Sequence, residues 1–312
     1  MKLANRTLPV ILSLLAFCGT ALAQTKPLSG TLTLSGAWAI YPTAVAWSEA
    51  FQKLHPGVKI DVSAGGAGKG AADAIAGLVD IGMVSREPDL AEIKKGITPI
   101  YVLHDAVFPV VSDKNPAVPL LVQKGLKLQT FRDIYVAGTV TSWSAATGTK
   151  PDRPIHVYTR SDSCGAAAAW AAPFGKKQED LRGVGVYGDP GLLQAVIRDP
   201  VGIGYNNFSY VFTREGTVVA GARLLPIDAN GNGKADPEEL FTDRKSAVAA
   251  IEAGKYPVTR KNYFFVKGRP SPLLKAFLEF ALSDEGTKVV ETVGTSLPVS
   301  KGEREKILKG LD

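Results

Sequence analysis

The sequence predicts an α/β protein of two lobes, and three observations carry that reading. Short β-type runs alternate with helical stretches, as in parallel sheets with crossover helices. Glycine-rich polar loops recur at the strand-to-helix junctions, where open α/β sheets place their ligands. The chain has 312 residues, more than a single hydrophobic core usually organises.

The elements follow in order. Thr31 to Ser35 alternates as a strand and runs into Gly36-Ala-Trp-Ala-Ile-Tyr-Pro42. Thr43 to Leu54 has helical apolar spacing through Val45, Trp47, Phe51 and Leu54. Val58 to Val62 is a strand, the glycine-rich segment 64–70 a loop, Ala71 to Leu78 a helix and Asp80 to Ser85 a buried strand. Ile100 to Val111 is a long apolar run, suited to crossing from one lobe to the other. Phe131 to Tyr135 reads as a short helix, and Ile155 to Thr159 and Val201 to Tyr205 as strands. Tyr263 to Val266 is the last clear strand, and Pro272 to Leu282 an amphipathic helix. The expected division is a lobe of 24–110 plus 264–312 and a second lobe of 111–263.

Residues 1–23 form an export signal. Lys2 and Arg6 supply charge, Leu8 to Phe17 the apolar stretch, and Ala21-Leu22-Ala23 a small-residue cleavage site before Gln24. A lipid anchor on Cys18 is disfavoured, because Phe17 stands where a small residue is expected. Cleavage lowers the formal charge from +6 to +4 and leaves Cys164 as the one thiol. An intramolecular disulfide is then excluded, and an exported, periplasmic-type protein must rely on its core. No basic cluster with interleaved aromatics points to nucleic acid.

The richest stretch is Tyr158-Thr-Arg-Ser-Asp-Ser-Cys-Gly-Ala-Ala-Ala-Ala-Trp170. A strand enters a polar loop, and an alanine-rich, helix-forming segment follows. A helix start offers unpaired N–H groups and a partial positive charge, hence an anion site. Arg160 adds a fork of donors. Asp162 repels an anion unless the anion brings a proton to share, so the pair suggests a protonatable oxyanion. A surface ion bridge between the two is the bland alternative. Arg86 reads equally as a pocket arginine or as a partner of Glu87 or Asp89. Cys164, in the first helical turn, is expected to have a lowered pKa. It reads as an inert serine replacement or a ligand-contacting thiol; His55, His104 and His156 lie in no catalytic signature. Trp47, Trp143 and Trp170 read as core, while Trp38 lies inside the first loop and either walls a cleft or stacks on a ligand.

These loops, taken together, resemble the periplasmic phosphate-binding proteins of ATP-binding-cassette importers. Ser35 to Pro42 is similar to the family's first ligand loop. Gly66-Ala-Gly-Lys-Gly70 is similar to the second, Val79-Asp-Ile-Gly82 with Ser85-Arg-Glu-Pro88 to the third, and Arg160 to Ala166 to the fourth. Gly202-Ile-Gly-Tyr205 is a further landmark. The resemblance implies the type II two-lobe binding-protein fold, with a mixed, mainly parallel sheet in each lobe and a two-segment hinge that closes on a dehydrated oxyanion. It places ligand contacts at Ala39, Ile40, Tyr41, Ala67, Gly68, Ser85, Arg86, Arg160, Asp162, Cys164, Gly165 and Ala166, and implies a monomer that hands its ligand to a membrane permease. The family's hydroxyl donors are missing at Ile40, Ala67, Cys164 and Ala166. Either phosphate binds through amides and arginines, or the pocket is retuned to another small anion or organic solute. A receptor that signals to a membrane sensor is the other class left open; no acid–base pair or metal points to an enzyme.

A second feature is independent of the resemblance. Asp228-Ala-Asn-Gly-Asn-Gly-Lys-Ala-Asp-Pro-Glu-Glu239 meets the calcium-loop pattern. Asp228, Asn230, Asn232, Asp236 and Glu239 would supply side-chain oxygens and Lys234 its carbonyl. Pro226 argues against an entering helix, and a helix from about Asp243 to Ala253 follows. A lone loop of this kind is expected to be a structural Ca²⁺ clamp.

Overall fold

The computed structural model describes residues 27–311 apart from 149 and 151. The export segment, Cys18 and the cleavage point after Ala23 lie outside them. No helix of the described residues is long and apolar enough to cross a membrane.

Four strands come first: β1 (Ser29–Gly36), β2 (Gly57–Ala64), β3 (Ile81–Val84) and β4 (Ile97–Ser112). The remainder are β5 (His156–Arg160), β6 (Val184–Val186), β7 (Gly202–Asn207), β8 (Ala222–Leu224), β9 (Thr259–Lys267) and β10 (Leu297–Pro298). Hydrogen-bonded neighbours run β2-β1-β3-β9-β4-β7-β5-β6. β1 is parallel to β2 and β3, and β5 is parallel to β6 and β7. The antiparallel pairs involve the connecting strands: β9 against β3 and β4, and β4 against β7, β8 and β10. This is the mixed, mainly parallel α/β architecture that the alternation predicts.

Two hydrophobic cores flank the connection. One gathers Leu34, Trp47, Phe51, Phe264 and Phe277, the other Phe108, Tyr135, Trp170 and Tyr205. β4 belongs to both: Ile97 to Leu103 packs in the first and Ala106 to Val111 in the second. The long apolar run is therefore continuous because it is buried on both sides of a crossover. The chain makes the same passage again at β9, with Val258 just before the strand in the second core and Tyr263 to Val266 in the first.

Some boundaries differ from the sequence reading. The first helix begins at Tyr41, with Pro42 in its opening turn. The next spans Ala67–Ala76 and so starts inside the expected glycine-rich loop. Gly66, at φ +94°, makes the turn that a side chain would strain, and a Cβ on Gly70 would lie 2.4 Å from the Met83 carbonyl oxygen. The loop is short because its glycines let a helix press onto the sheet. The helix expected at Phe131 to Tyr135 is Leu128–Arg132, continued by a π-helical turn over Asp133–Ala137. Helices at Gly188–Arg198, Asp284–Val293 and Lys301–Lys309 were not anticipated.

Trp170 anchors the second core. It stacks on Tyr205 at 5.6 Å and meets Phe131, Tyr135 and Phe174 edge-on. Trp170→Ala should cost about 3–5 kcal/mol and lower Tm by roughly 6–20 °C. A thermal scan showing a shift of a degree or two would refute this anchoring role.

Candidate ligand site between the lobes

Arg160 ends β5, and its side chain is 1 % exposed. The strand is held from behind by Tyr205, whose hydroxyl bonds Thr159 Oγ1 at 2.8 Å and accepts from the Arg160 N–H. The glycine-rich strand carrying Tyr205 thus positions the arginine. Asp162 grips it side-on, Nε to Oδ1 at 2.8 Å and Nη2 to Oδ2 at 2.5 Å. Asp189 takes Nη1 through Oδ2 at 2.5 Å. Burial alone would lower the Arg160 pKa, but the two carboxylates outweigh it and hold the guanidinium charged. The surface bridge, the bland alternative, is thus excluded: the pair is part of an interior triad with a formal net charge of −1.

Asp189 is the residue that sequence reasoning missed. It lies in the first turn of helix Gly188–Arg198, just before Pro190, and is 1 % exposed. Aspartate followed by proline at a helix start was the available signal. Burial raises its carboxyl pKa, against the pull of Arg160 and Arg260. Its second oxygen, Oδ1, is buried without a partner. Asp162 differs: Oδ1 also accepts the Gly188 N–H, so both of its oxygens are committed. Gln178, also missed, bridges the loop by donating to the Asp162 carbonyl and accepting from the Cys164 N–H.

Helix Gly165–Ala171 begins where the alanine run predicts, with Cys164 as its cap. The Ala167 N–H reaches Cys164 Sγ at 3.4 Å, while the amides of Gly165 and Ala166 have no intrahelical acceptor by helix geometry. The expected fall in the Cys164 pKa does not occur. Burial pushes the thiol up to about 12, although Arg160 pulls the other way. Desolvation outweighs the helix-end and arginine effects because the sulfur faces the core.

The other loops close over this one. Gly68 N–H donates to the Ser163 carbonyl at 3.0 Å, joining the first lobe to the second. A Cβ on Gly165 would lie 2.0 Å from the Ser85 carbonyl oxygen, and one on Gly66 2.6 Å from that of Ser163. Ala67, Gly68, Ser85, Arg160, Asp162, Cys164, Gly165 and Ala166 therefore converge. Ala39 and Ile40 are buried, and the N–H groups of Ile40 and Tyr41 donate to the Ala37 carbonyl. Arg86 turns aside, pairing with Asp89 at 3.6 Å, as one of its two readings expected, and more closely with Glu92 at 2.6 Å, which was not foreseen. That carboxylate raises the Arg86 pKa. Trp38 packs on Gly188 and lies 6.1 Å from Tyr187, walling the cleft.

The loop 228–239 is a separate structure. The Asn232 and Gly233 N–H groups donate to the two Asp228 oxygens, and the Lys234 N–H to Asn232 Oδ1. Glu239 folds back, Oε1 accepting from Ala229 N–H and Oε2 from Asp236 N–H. The Asn230 and Asn232 amides both donate to Asp236 Oδ2. Asp228 and Glu239, first and last, are 4 % and 8 % exposed. Among the described residues, no three or more His, Cys, Asp or Glu side chains come together as a metal set. The oxygens of this loop come in good part from Asn side chains and main chain, which suit only a hard cation. As expected, strand-like backbone precedes it and helix Arg244–Glu252 follows.

Known proteins resemble this chain in sequence and fold. The chain is 26 % identical over 272 residues to the phosphate-binding protein PstS of Bacillus subtilis, covering 87 % of this chain and 82 % of that protein. It is 25 % identical over 311 residues to PstS of Pseudomonas aeruginosa, covering 91 % and 87 %. Among solved structures, a phosphate ABC transporter substrate-binding protein from Clostridium perfringens with bound phosphate superposes with a TM-score of 0.71. That match has 26 % identity and covers 87 % of this chain and all of the other. A family model described as the PBP superfamily domain matches residues 21–285, and the chain belongs to that family.

Proposed function

We propose that this protein is an exported receptor that captures phosphate between its lobes and delivers it to the permease of an ATP-binding-cassette importer. The observation that carries this reading is the Arg160 triad at the start of helix Gly165–Ala171, in a chain whose relatives are named for phosphate. Binding by amides and a fixed guanidinium requires no catalytic group, so the protein is a carrier rather than an enzyme.

The charges define the ligand. Arg160 is already balanced by Asp162 and Asp189, so a fully ionised tetrahedral anion meets excess negative charge. An oxyanion that still carries a proton can donate it to Asp189 Oδ1. The acceptor role expected of Asp162 passes to Asp189, because the oxygens of Asp162 are both in use. Sulfate, with no proton to give at neutral pH, is rejected by the same geometry. In calorimetry, phosphate and arsenate should bind and sulfate should not. Asp189→Asn should relax sulfate rejection by roughly tenfold or more, about the ~1.4 kcal/mol of one removed repulsion. Asp162→Asn should weaken both anions through loss of the Arg160 grip. Silence toward phosphate and arsenate would mean that the cleft serves another solute, and unchanged selectivity in Asp189→Asn would remove it from the mechanism.

Closure uses glycine contacts. Gly165→Ala places a methyl against the Ser85 carbonyl and should weaken phosphate by roughly tenfold or more while leaving the ligand-free melting temperature in place. An unaltered affinity would show that the contact plays no part in closing.

The loop 228–239 is proposed to hold Ca²⁺ through Asp228, Asn230, Asn232, Asp236 and Glu239 side chains and the Lys234 carbonyl, rigidifying the second lobe. Two buried carboxylates support this reading, since a cation offsets their desolvation. At about 100 times its Kd, Ca²⁺ should add about 2.7 kcal/mol of stability. Chelation that leaves the melting curve unmoved would dismiss the site.

A further inference from the structure

A second arginine lies between the lobes with its hydrogen-bonding capacity half used. Arg260 faces Asp105 directly across the β4–β9 pairing, so the two strands that join the lobes carry the pair. Its Nη2 donates to Asp105 Oδ2 at 2.6 Å and to Asn207 Oδ1. Its Nε and Nη1 have no partner, although the residue is only 8 % exposed. Leaving charged donors unpaired in the interior costs several kilocalories unless something accepts from them. Two residues along the same strand face, Asn262 is fully buried with neither amide atom partnered.

Arg260 also lines a cavity of about 700 Å³ between the lobes. Its walls include Ala168 and Ala172 from the second lobe, Val258 beside the hinge, and Arg86 from the first, with the exposed Lys177 on its border. A volume in that range suits an organic molecule and is far larger than an inorganic oxyanion requires. The lining is cationic on one side and aliphatic on another. Two carboxylates, Glu87 and Asp89, also line it, Glu87 accepting from the Tyr263 hydroxyl and Asp89 facing Arg86 at 3.6 Å, so the three cations Arg86, Lys177 and Arg260 stand against two anions.

We infer that this cavity is a second ligand site, distinct from the Arg160 site, for a small organic anion. Its phosphonate or phosphate-ester group pairs with the Arg260 guanidinium at the cavity wall, and its apolar part lies along Ala168, Ala172 and Val258. Lys177 adds attraction at the border. The residues that hold this ligand are not those that hold phosphate, so the inference stands or falls apart from the previous one.

The test is calorimetric titration of phenylphosphonate into the protein saturated with inorganic phosphate. Binding should persist under saturation, and Arg260→Lys, which keeps a cation beside Asp105, should weaken it by roughly tenfold. Ala168→Leu fills the cavity without touching a charge and should weaken it by a similar factor, with phosphate affinity preserved. This second variant keeps the test decisive if the hinge substitution unfolds the protein. Phenylphosphonate that fails to bind, that is displaced competitively by phosphate, or that binds Ala168→Leu as tightly as the parent would overturn the inference. Loss of phosphate binding alone, with phenylphosphonate retained, would count only against the phosphate reading.

Discussion

The arrangement between the lobes depends on burying Arg160 as a cation. A guanidinium taken out of water is tolerable only when carboxylates and hydrogen bonds replace its hydration. Two aspartates do so here, from different elements: Asp162 from the loop after β5, and Asp189 from the helix Gly188–Arg198 that follows β6. Each demand fixes backbone. The Asp162 carboxylate also binds the Gly188 N–H, tying that helix start to the loop, and Gln178 ties the loop to the helix start at Gly165. Three separate segments are thereby registered around one side chain. Tyr205 and Trp170 behind it make the support stiff.

The same economy governs the connection between the lobes. β1 pairs in parallel with β2 and β3, and β5 with β6 and β7, yet β4 and β9 run antiparallel, β4 through both cores and β9 into the first from Val258 in the second. Their cross-strand pair, Asp105 and Arg260, buries opposite charges where the strands leave one core for the other. Asp105 is fully buried, and burial raises its pKa against the pull of Arg260. Removing either partner alone leaves a charge stranded in the interior, so the pair must change together if it changes at all.

What could be read from sequence was what is local. Glycine-rich junctions, the β–α alternation and the long run from Ile100 to Val111 are patterns of neighbours along the chain, and they located the loops and the crossover strand. The bounds of the loop 228–239 were legible for the same reason, since they follow from twelve consecutive residues. Partnerships made by folding were not legible. Asp189 meets Arg160 across 29 positions and Arg260 meets Asp105 across 155, with no spacing rule to link them. Cys164 shows the opposite error. Its place in a helix start argued for a depressed pKa, but the sign was set by how deeply the folded core encloses the sulfur, which no local pattern states.

Arg160 balanced by two carboxylates has a further consequence for how such a cleft can discriminate. If the arginine were unpaired, any small anion would be drawn to it in proportion to its charge, and selectivity among oxyanions would be poor. Pre-neutralising the guanidinium removes that indiscriminate attraction and leaves direction as the criterion. The groups that remain are oriented amides at a helix start and one acceptor oxygen, Asp189 Oδ1. They reward a ligand that can accept on one side and donate on the other. The missing hydroxyls at Ile40, Ala67, Cys164 and Ala166 fit this division of labour. In the proposed role, backbone donors would carry the accepting side, and Asp189, whose Oδ1 has no partner, the donating one.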